Sequence, residues 1–351
     1  MLYAEGRGGS RNDAQAVACF RLAAGQGHAM ALYNLGLMHD SGRGGLTPDG
    51  RQAFLCWIKA AQQGHVKAQF NVGVMFENGR DVGRDYRQAM YWYRQAAEQG
   101  HTKAQLNLGF MYAEGRGVPR DDWQAIAWFF TAARLGDPIA QYNMGVAYDN
   151  WEFLAGEPQV SAFWFQKAAR QGHVGAQFNL ALKCSMGDGV TRDLIQAVYW
   201  FHRAADQGHA GAQSQLGHMY AVGRGVPHDD ELAANWLRKA AMQGDAKAQY
   251  HLATFLDQGR GTPQDGPQAV QWFRRAAMQG HAGARLQLGL MHTNGRHVAQ
   301  DHIQAYAYLH LAALGGNEDA ISHRYVLTRH LTAEQIAQAR ELAQELAAPR
   351  N

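Results

Sequence analysis

Residues 102–136 read TKAQLNLGFMYAEGRGVPRDDWQAIAWFFTAARLG, and this stretch decides the fold. Its first part, 102–112, places small and apolar residues at helical spacing. Residues 115–119, GRGVP, then break the helix, because glycine and proline interrupt helical structure. A second helix is predicted to start at Asp121, whose carboxylate can accept hydrogen bonds from first-turn amides, and to end at Gly136. The stretch therefore predicts a hairpin of helix A, a glycine turn and helix B.

This pattern returns along the chain at a fixed period. A glycine followed by a polar residue marks the end of each predicted hairpin. The marks are Gly27-His28, Gly64-His65, Gly100-His101, Gly136-Asp137, Gly172-His173, Gly208-His209, Gly244-Asp245 and Gly280-His281. From the second mark onward each step is 36 residues, and the first step is one residue longer. Such a period indicates stacked supersecondary units, none of which can bury its apolar face alone.

Composition and charge narrow the function classes. Lysine plus arginine number 33 against 30 acidic residues, and the net charge of +3 does not favour a nucleic-acid binder. No apolar stretch of 18 residues exists, so no membrane span is predicted. The three cysteines are predicted to be unpaired, because Cys19 and Cys56 lie roughly 10 Å apart on successive B helices. A reducing, cytoplasmic location is favoured, with the periplasm as the alternative if an export signal lies outside this chain.

The repeated residues carry a family resemblance. Each repeat resembles the Sel-1-like repeat, a relative of the tetratricopeptide repeat. In chain order the shared motif is A-x-Y-N-L-G-x-M-Y, then G-x-G-V, then D, then A, then W-(F/Y)-x-x-A-A-x-x-G. The resemblance covers residues 1–317, with a partial repeat at 1–28 and eight full ones after it. It implies an all-α, right-handed α-solenoid superhelix whose A helices line a concave surface, and an adaptor or scaffold role, often in bacteria. Residues 318–351 are predicted to form capping helices, with a capping box at Thr332 and Gln335.

Four sets of repeated residues are interpreted as parts of the fold. Glycines in the middle of helix A cost about 1 kcal/mol each, which implies close helix approach. They are Gly36, Gly73, Gly109, Gly145, Gly217 and Gly289. Tryptophans are predicted to fill the space between hairpins: Trp57, Trp92, Trp128, Trp164, Trp200, Trp236 and Trp272. The other two sets follow below: the histidines before helix A, and the aspartates that start the B helices, which are taken up with the turn arginines.

Histidines of the hairpin marks are predicted to be N-caps of helix A rather than metal ligands. Successive members lie a whole repeat apart, whereas the ligands of one metal converge to about 2 Å. Aspartate or asparagine, both good N-cap residues, replaces histidine in some repeats. The set comprises His28, His65, His101, His173, His209 and His281, with Asp137, Asp245 and Asn317 as replacements.

Arginines between the turn glycines form a further ladder. They are Arg7, Arg43, Arg80, Arg116, Arg224, Arg260 and Arg296. One interpretation is a positive edge that steers an acidic partner. The favoured alternative is neutralisation by the polar residues that follow closely: Asn12, Asp49, Asp85, Asp121, Asp193, Asp229, Asp265 and Asp301.

An asparagine ladder on helix A is the main candidate for binding. Its members are Asn34, Asn71, Asn107, Asn143 and Asn179, and Gln215, His251 and Gln287 continue it. Asparagine is a poor helix former, and its amide offers a donor and an acceptor to a peptide backbone. The resemblance implies the same, since the corresponding position grips peptides in tetratricopeptide relatives. Lys67 and Lys103, one turn earlier, are candidates to hold a carboxylate, a narrower interpretation that is less favoured than peptide binding in general. The alternative is that the asparagines only bond neighbouring repeats.

A second candidate contact lies in the fourth full repeat, where the sequence DNWEFLAG at 149–156 replaces the glycine turn. Trp151, Phe153 and Leu154 either form an exposed apolar contact surface or pack locally over the altered turn, and local packing is favoured. The fifth full repeat also departs from the pattern, because Cys184 stands where others have tyrosine or histidine.

No enzyme motif is present, so enzymatic activity, cofactors and metals are not expected. The predicted function is a scaffold or adaptor that binds a protein or extended peptide in the groove lined by A helices. The alternative is an immunity protein that neutralises a secreted bacterial effector. A β-lactam or peptidoglycan-fragment hydrolase is less favoured, because the S-x-x-K spacing of that chemistry is missing. A monomer is expected, with end-to-end association as the alternative because residues 1–8 match only a late helix A and its turn.

Overall fold

A computed structural model describes residues 12–151, 154 and 156–347, and these residues form 19 helices and no strand. The helices are α1 (Asp13–Gly25), α2 (Ala29–Ser41), α3 (Gly50–Gln62), α4 (Val66–Asn78), α5 (Tyr86–Glu98), α6 (Thr102–Glu114), α7 (Asp122–Arg134), α8 (Pro138–Asn150), α9 (Pro158–Arg170), α10 (Val174–Met186), α11 (Leu194–Asp206), α12 (Ala210–Val222), α13 (Asp230–Met242), α14 (Ala246–Gln258), α15 (Gly266–Met278), α16 (Ala282–Asn294), α17 (His302–Leu314), α18 (Glu318–Thr328) and α19 (Ala333–Ala347). Even-numbered helices from α2 to α18 are A helices, and odd-numbered helices from α1 to α17 are B helices. Positions within a helix are counted from its first residue.

Two compact units divide the chain, and each is an α-solenoid of stacked hairpins. Unit 1 ends at Gln171 and contains α1 to α9, and unit 2 begins at Gly172 and contains α10 to α19. The predicted all-α solenoid is confirmed. The predicted first half-hairpin at residues 1–8 lies outside the described residues, as does Arg7.

Close packing inside each hairpin explains the mid-helix glycines. A Cβ atom on Gly73 would lie 2.6 Å from the Tyr93 ring, and one on Gly145 would lie 2.6 Å from the Phe165 ring. Both rings are fully buried and stand at position 8 of helix B. The spacing leaves no room for a Cβ atom while these two rings keep their positions, whereas α10 and α14 accommodate Ala181 and Ala253 at the same position.

One member of the predicted tryptophan ladder stands at a different position of its helix from the others. Trp57 is the residue that packs on Gly36, so it belongs with Tyr93 and Phe165 at position 8. The other tryptophans stand at position 7. Trp92 and Trp164 illustrate their role, because each is buried in the core cluster of the hairpin before its own. Trp57 is therefore one position out of register with the other tryptophans, although it too lies in a core cluster that includes Val72 and Met75 of the next hairpin.

The predicted histidine caps are confirmed for every member except His28, which makes no side-chain cap bond. In five A helices the histidine Nδ1 atom accepts a hydrogen bond of 3.1–3.2 Å from the backbone amide three residues on. His209 also stacks on Phe178 of the preceding A helix, with ring centroids 4.4 Å apart. Asp245 caps α14 in the same manner and accepts a hydrogen bond from Ser214, at the Phe178 position.

The predicted partners of the turn arginines are wrong, although most of these arginines are neutralised. The aspartates proposed as partners cap the B helices instead, as Asp121 does for α7. Other carboxylates pair with the arginines: Arg43 with Asp13, Arg80 with Asp40, Arg116 with Glu77, Arg260 with Asp230 and Arg296 with Asp257. Cap geometry explains the difference, because a carboxylate that accepts first-turn amides has its oxygens directed at its own helix.

A buried glutamine ladder links successive hairpins, and the sequence analysis did not identify it. Gln69 at position 4 of α4 donates to the Ala61 carbonyl at the end of α3 and accepts from Gln99, at 3.2 and 2.8 Å. The same arrangement recurs in both units, for example at Gln249 and Gln279. The Ala61 carbonyl also accepts from the Gly64 amide, so Gln69 adds a second hydrogen bond to a carbonyl at the helix end inside the core. Leu135 replaces the second glutamine in one repeat.

After the repeats, α18 and α19 both pack on α17. The predicted capping box at the start of α19 is confirmed, since the Thr332 amide donates to Gln335 Oε1 and the Gln335 amide donates to Thr332 Oγ1. Cys19, Cys56 and Cys184 are free thiols.

Candidate functional site

The asparagine ladder occupies position 6 of the A helices, and its five members are all half-buried. Positions 2, 6, 9 and 13 lie on one side of a helix, because they are separated by three or four residues. In α4 this side carries Lys67, Asn71, Val74 and Asn78. We call the side formed by these positions in successive A helices the A face of each unit.

A pocket of about 320 Å³ opens on the A face of unit 1 at Asn71. Leu37 and Val74, both at position 9, supply apolar wall, and Trp57 lies behind them. Asp40 and Arg80 line the same pocket and form an ion pair of 3.0 Å. The structure thus brings Asn71 together with apolar side chains and with one group of each charge.

The Asn107 side chain is hydrogen-bonded to another residue of the protein. It hydrogen-bonds Tyr93 on the preceding B helix, and Tyr93 donates to Glu77 Oε2 at 2.6 Å. Burial, together with Glu77, raises the pKa of the Tyr93 hydroxyl far above its ordinary value, while Asn107 and Arg116 oppose that rise. Arg116 completes the network through a 2.6 Å bond to Glu77 Oε1. At Asn107 the alternative interpretation therefore applies, in which the asparagine bonds between neighbouring repeats.

Asn34 and Asn143 present little to a ligand. The Nδ2 atom of each is enclosed by protein atoms and has no hydrogen-bond partner among the described residues. The sequence pattern predicts that these amides lie on the exposed side of helix A. Position 6 instead lies at the border between adjacent A helices, where the side chain is half-covered.

Lys67 and Lys103 on the A face of unit 1 are exposed and act on the same neighbour. Burial lowers the pKa of His101 first, and Lys103 and Lys67 lower it further. Both ammonium groups therefore lie close enough to His101 to influence its charge. The start of α4 and the start of α6 together form a positive end of the A face in unit 1.

The A face of unit 2 has a different chemistry. Asn179, Gln215 and His251 are half-buried at position 6. The His251 ring lies 6.0 Å from His218 at position 9 of the preceding A helix and 5.2 Å from Tyr250. Burial lowers the pKa of His251, with smaller contributions from His218 and other nearby cations. Imidazoles thus replace the amide and aliphatic side chains found at Asn71.

The altered turn gives a local explanation for Trp151. Its side chain is half-buried and packs against the core cluster that contains Phe129 and Met144. Its backbone amide ends α8 by donating to the Ala147 carbonyl, and Leu154 donates back to the Trp151 carbonyl. Phe153 lies outside the described residues. Trp151 and Leu154 therefore help to close the hairpin in place of the glycine turn.

Two further observations concern chemistry that the described residues would need for other functions. Across residues 12–151, 154 and 156–347, no cluster of three or more His, Cys, Asp or Glu side chains is arranged to bind a metal ion. Within the same residues, every helix is too short or too polar to cross a membrane.

Comparison with known proteins identifies the class as a helical-repeat solenoid and then the family. The Sel1 repeat profile matches nine consecutive segments: 1–28, 29–65, 66–101, 102–137, 138–173, 174–209, 210–245, 246–281 and 282–317. The chain therefore belongs to the Sel1 repeat family. Among curated proteins, none matches it closely enough to count as a relative.

Two solved structures are similar over most of the chain. One is a protective antigen present in uropathogenic Escherichia coli strains and displaying an SLR fold, at 35% identity and a TM-score of 0.90, covering 98% of this chain and 74% of that one. The other is a Sel1 repeat protein from Oxalobacter formigenes, at 35% identity and a TM-score of 0.67, covering 88% of this chain and 89% of that one. Sel1 repeats typically bind proteins, and their family consists generally of scaffolds without enzyme activity.

Proposed function

We propose that this chain is a protein-interaction scaffold that holds an extended segment of a partner protein on the A face of unit 1. An apolar side chain of that segment enters the pocket between α2 and α4, and Asn71 bonds its backbone. The observation that carries this proposal is the pocket itself, which combines Asn71 with Leu37, Val74 and the Asp40–Arg80 pair.

Pocket chemistry favours a peptide over a small metabolite. An extended backbone presents both amide and carbonyl groups, and the Asn71 amide can satisfy one of each. Leu37 is 38% exposed although it is aliphatic, so an incoming apolar side chain would remove its surface from water. The pocket is also open along the A face, which leaves room for the chain on either side of the bound residue.

The positive end at Lys67 and Lys103 gives the bound segment a direction. Both ammonium groups lie at position 2, one helical turn from the asparagine position. A carboxylate held there, from an acidic residue or a chain terminus, would gain two charge-assisted contacts. We therefore expect a partner segment that pairs one apolar residue with a neighbouring negative charge.

Partner capture with pocket variants tests the proposal. Val74→Arg places a long side chain in the pocket, and Thr254→Arg makes the same change at position 9 of α14 in unit 2. Proteins that co-purify with each variant are identified by mass spectrometry. We expect a partner that is recovered with the parent chain and with Thr254→Arg, and that is lost with Val74→Arg.

Direct titration of that partner then tests Asn71. Loss of a central polar contact weakens binding by roughly tenfold, so Asn71→Ala should raise Kd about that much. Asn179→Ala, at the same position in unit 2, is the matched control and should leave Kd unchanged. Helical circular dichroism of both variants should equal that of the parent chain. Equal affinity of the partner for the parent chain, Asn71→Ala and Asn179→Ala would contradict the proposal. A single partner held so tightly that neither substitution changes its Kd, as an immunity protein would hold an effector, would also contradict it.

A further inference from the structure

The B helices of unit 1 expose a row of large apolar side chains that the fold does not use. Leu55 and Tyr91 stand at position 6 of α3 and α5, and Phe163 stands at position 6 of α9. Phe130 follows at position 9 of α7. Their exposed fractions are 49%, 54%, 49% and 43% in that order. We call this row of three aromatic residues and one leucine the aromatic stripe.

Ring contacts connect the part of the stripe that lies on α7 and α9. Phe130 on α7 lies 6.1 Å from Trp164 on α9, and Trp164 lies 5.2 Å from Phe163, all between ring centroids. Trp164 is itself buried, so the exposed rings rest on a fixed aromatic base. Phe130 and Phe163 therefore share one apolar surface, which Leu55 and Tyr91 extend along the row, and such a surface marks an interaction site, whereas single exposed apolar residues are ordinary.

Positive charge predominates on the four helices that carry the stripe. Within α3, α5, α7 and α9 there are seven lysines and arginines against two acidic residues, Glu98 and Asp122. Lys167 lies 5.0 Å over the Phe163 ring and Arg134 lies 5.8 Å over the Phe130 ring. A partner for this surface should therefore be apolar in the middle and negatively charged at its edges.

The protein itself shows one occupant for position 6 of a B helix. On α17 this position is Ala307, which is 0% exposed because α19 covers it. Leu311 of α17 is buried in the same contact, against Leu342 and Ala343 of α19. The covering element is an amphipathic helix. Its sequence, AEQIAQARELAQELA, includes three glutamates and one arginine.

We propose that the aromatic stripe docks an amphipathic helix of a partner protein, with leucine-type residues on its buried side and acidic residues along both edges. The stripe runs across successive B helices spaced roughly 10 Å apart, so a helix of about 18 residues, roughly 27 Å long, spans three of them. This docking surface is separate from the A face, and each can be occupied without the other.

Fluorescence anisotropy with a designed probe tests this proposal. The probe is a labelled synthetic helix of about 18 residues, with leucines on one side and glutamates along both edges. We expect binding by the full chain and a roughly tenfold weaker Kd for the Tyr91→Ser/Phe163→Ser double variant. Asn235→Ser/Gln271→Ser, which changes position 6 of α13 and α15 in unit 2, is the matched control and should bind like the parent chain.

Three results would overturn the proposal. The first is no binding of the probe, with circular dichroism showing that the chain is folded. The second is equal binding of a probe whose glutamates are replaced by lysines, because that excludes the acidic edges. The third is self-association in sedimentation equilibrium that the Tyr91→Ser/Phe163→Ser variant abolishes, because the stripe would then hold a second copy of the chain.

Discussion

Units 1 and 2 are built from the same hairpin, yet their surfaces differ. Both units use a position-8 core residue in helix B, aspartate caps on B helices and glutamines buried between hairpins. On the surface, unit 1 exposes Tyr91 and Phe163 at position 6 of its B helices, whereas α13 and α15 of unit 2 carry Asn235 and Gln271 there, and Tyr199 on α11 is the aromatic residue of unit 2 at this position. On the A face of unit 2, His251 stands at the asparagine position and His218 at the aliphatic position, although Asn179 keeps the asparagine.

This comparison separates the framework from the binding surfaces. Residues that recur in both units satisfy backbone groups or fill the core, so their period follows from the hairpin. The half-exposed residues that differ between the units are not required by the hairpin. We therefore expect binding at these half-exposed positions, and each prediction below tests one side of that division.

The largest expected effect separates two phenylalanines on one helix. Phe165 is fully buried at position 8 of α9, and Phe163 is half-exposed at position 6. Phe165→Ala should lower the free energy of unfolding by about 3–5 kcal/mol, because it leaves a cavity in the core. Phe163→Ala should lower it by under about 0.5 kcal/mol. Urea unfolding followed by circular dichroism measures both, and equal losses would remove the distinction between framework and surface.

The histidine caps give the next effect. A neutral Nδ1 atom accepts the amide at each cap, and burial lowers the pKa of His65, His101, His209 and His281. The unfolded chain therefore binds protons at higher pH than the folded chain does. Stability should be full above the unfolded histidine pKa of about 6.5 and should fall as pH decreases below it.

Both units contain such caps, so the effect should appear in both. Urea unfolding at pH 7.5 and at pH 5.5 measures the loss. His65→Asn in unit 1 and His209→Asn in unit 2 should each reduce that loss, because asparagine caps without titrating, as Asn317 does for α18. An unchanged loss in both variants would show that the caps do not cause the acid sensitivity.

The smallest effect concerns the break in the glutamine ladder. Leu135 stands where Gln99 stands one repeat earlier, and the buried Gln105 Oε1 atom has no hydrogen-bond partner among the described residues. Leu135→Gln should raise the free energy of unfolding by about 1 kcal/mol, because it supplies the missing donor. Gln99→Leu is the reverse change and should lower it by a similar amount. A loss of stability in Leu135→Gln would contradict this account of the ladder.

Local features of the fold were predictable from the sequence, and features that depend on a neighbouring repeat were not. The cap at Asp121 follows from residue type and position alone. Trp57 was assigned by residue type, although its distance of 36 residues from Tyr93 already places it at position 8. The glutamine ladder was missed because a helical glutamine ordinarily faces water, and its burial depends on a carbonyl at the end of the preceding helix.

The candidate site was predictable only in part. The sequence indicated a ladder that includes both Asn71 and Asn107. The preceding B helix, however, carries a different residue next to each of them. Tyr93 lies within reach of Asn107 and binds it, whereas the residue at the corresponding position before Asn71 is Trp57, whose Nε1 atom donates to the Tyr33 carbonyl. That difference depends on side-chain geometry across two helices, which no period reveals.

Site-specific photocrosslinking tests the central claim most directly. A benzophenone amino acid is placed at Val74 in the pocket of unit 1, or at Thr254 at the same position in unit 2, and irradiated in the source cells. The account predicts that one partner protein is crosslinked from position 74 and not from position 254, and that its crosslinked peptide contains an apolar residue beside an acidic one. Equal crosslinking of that partner from both positions, or crosslinking from position 254 alone, would contradict the claim that unit 1 carries the binding face.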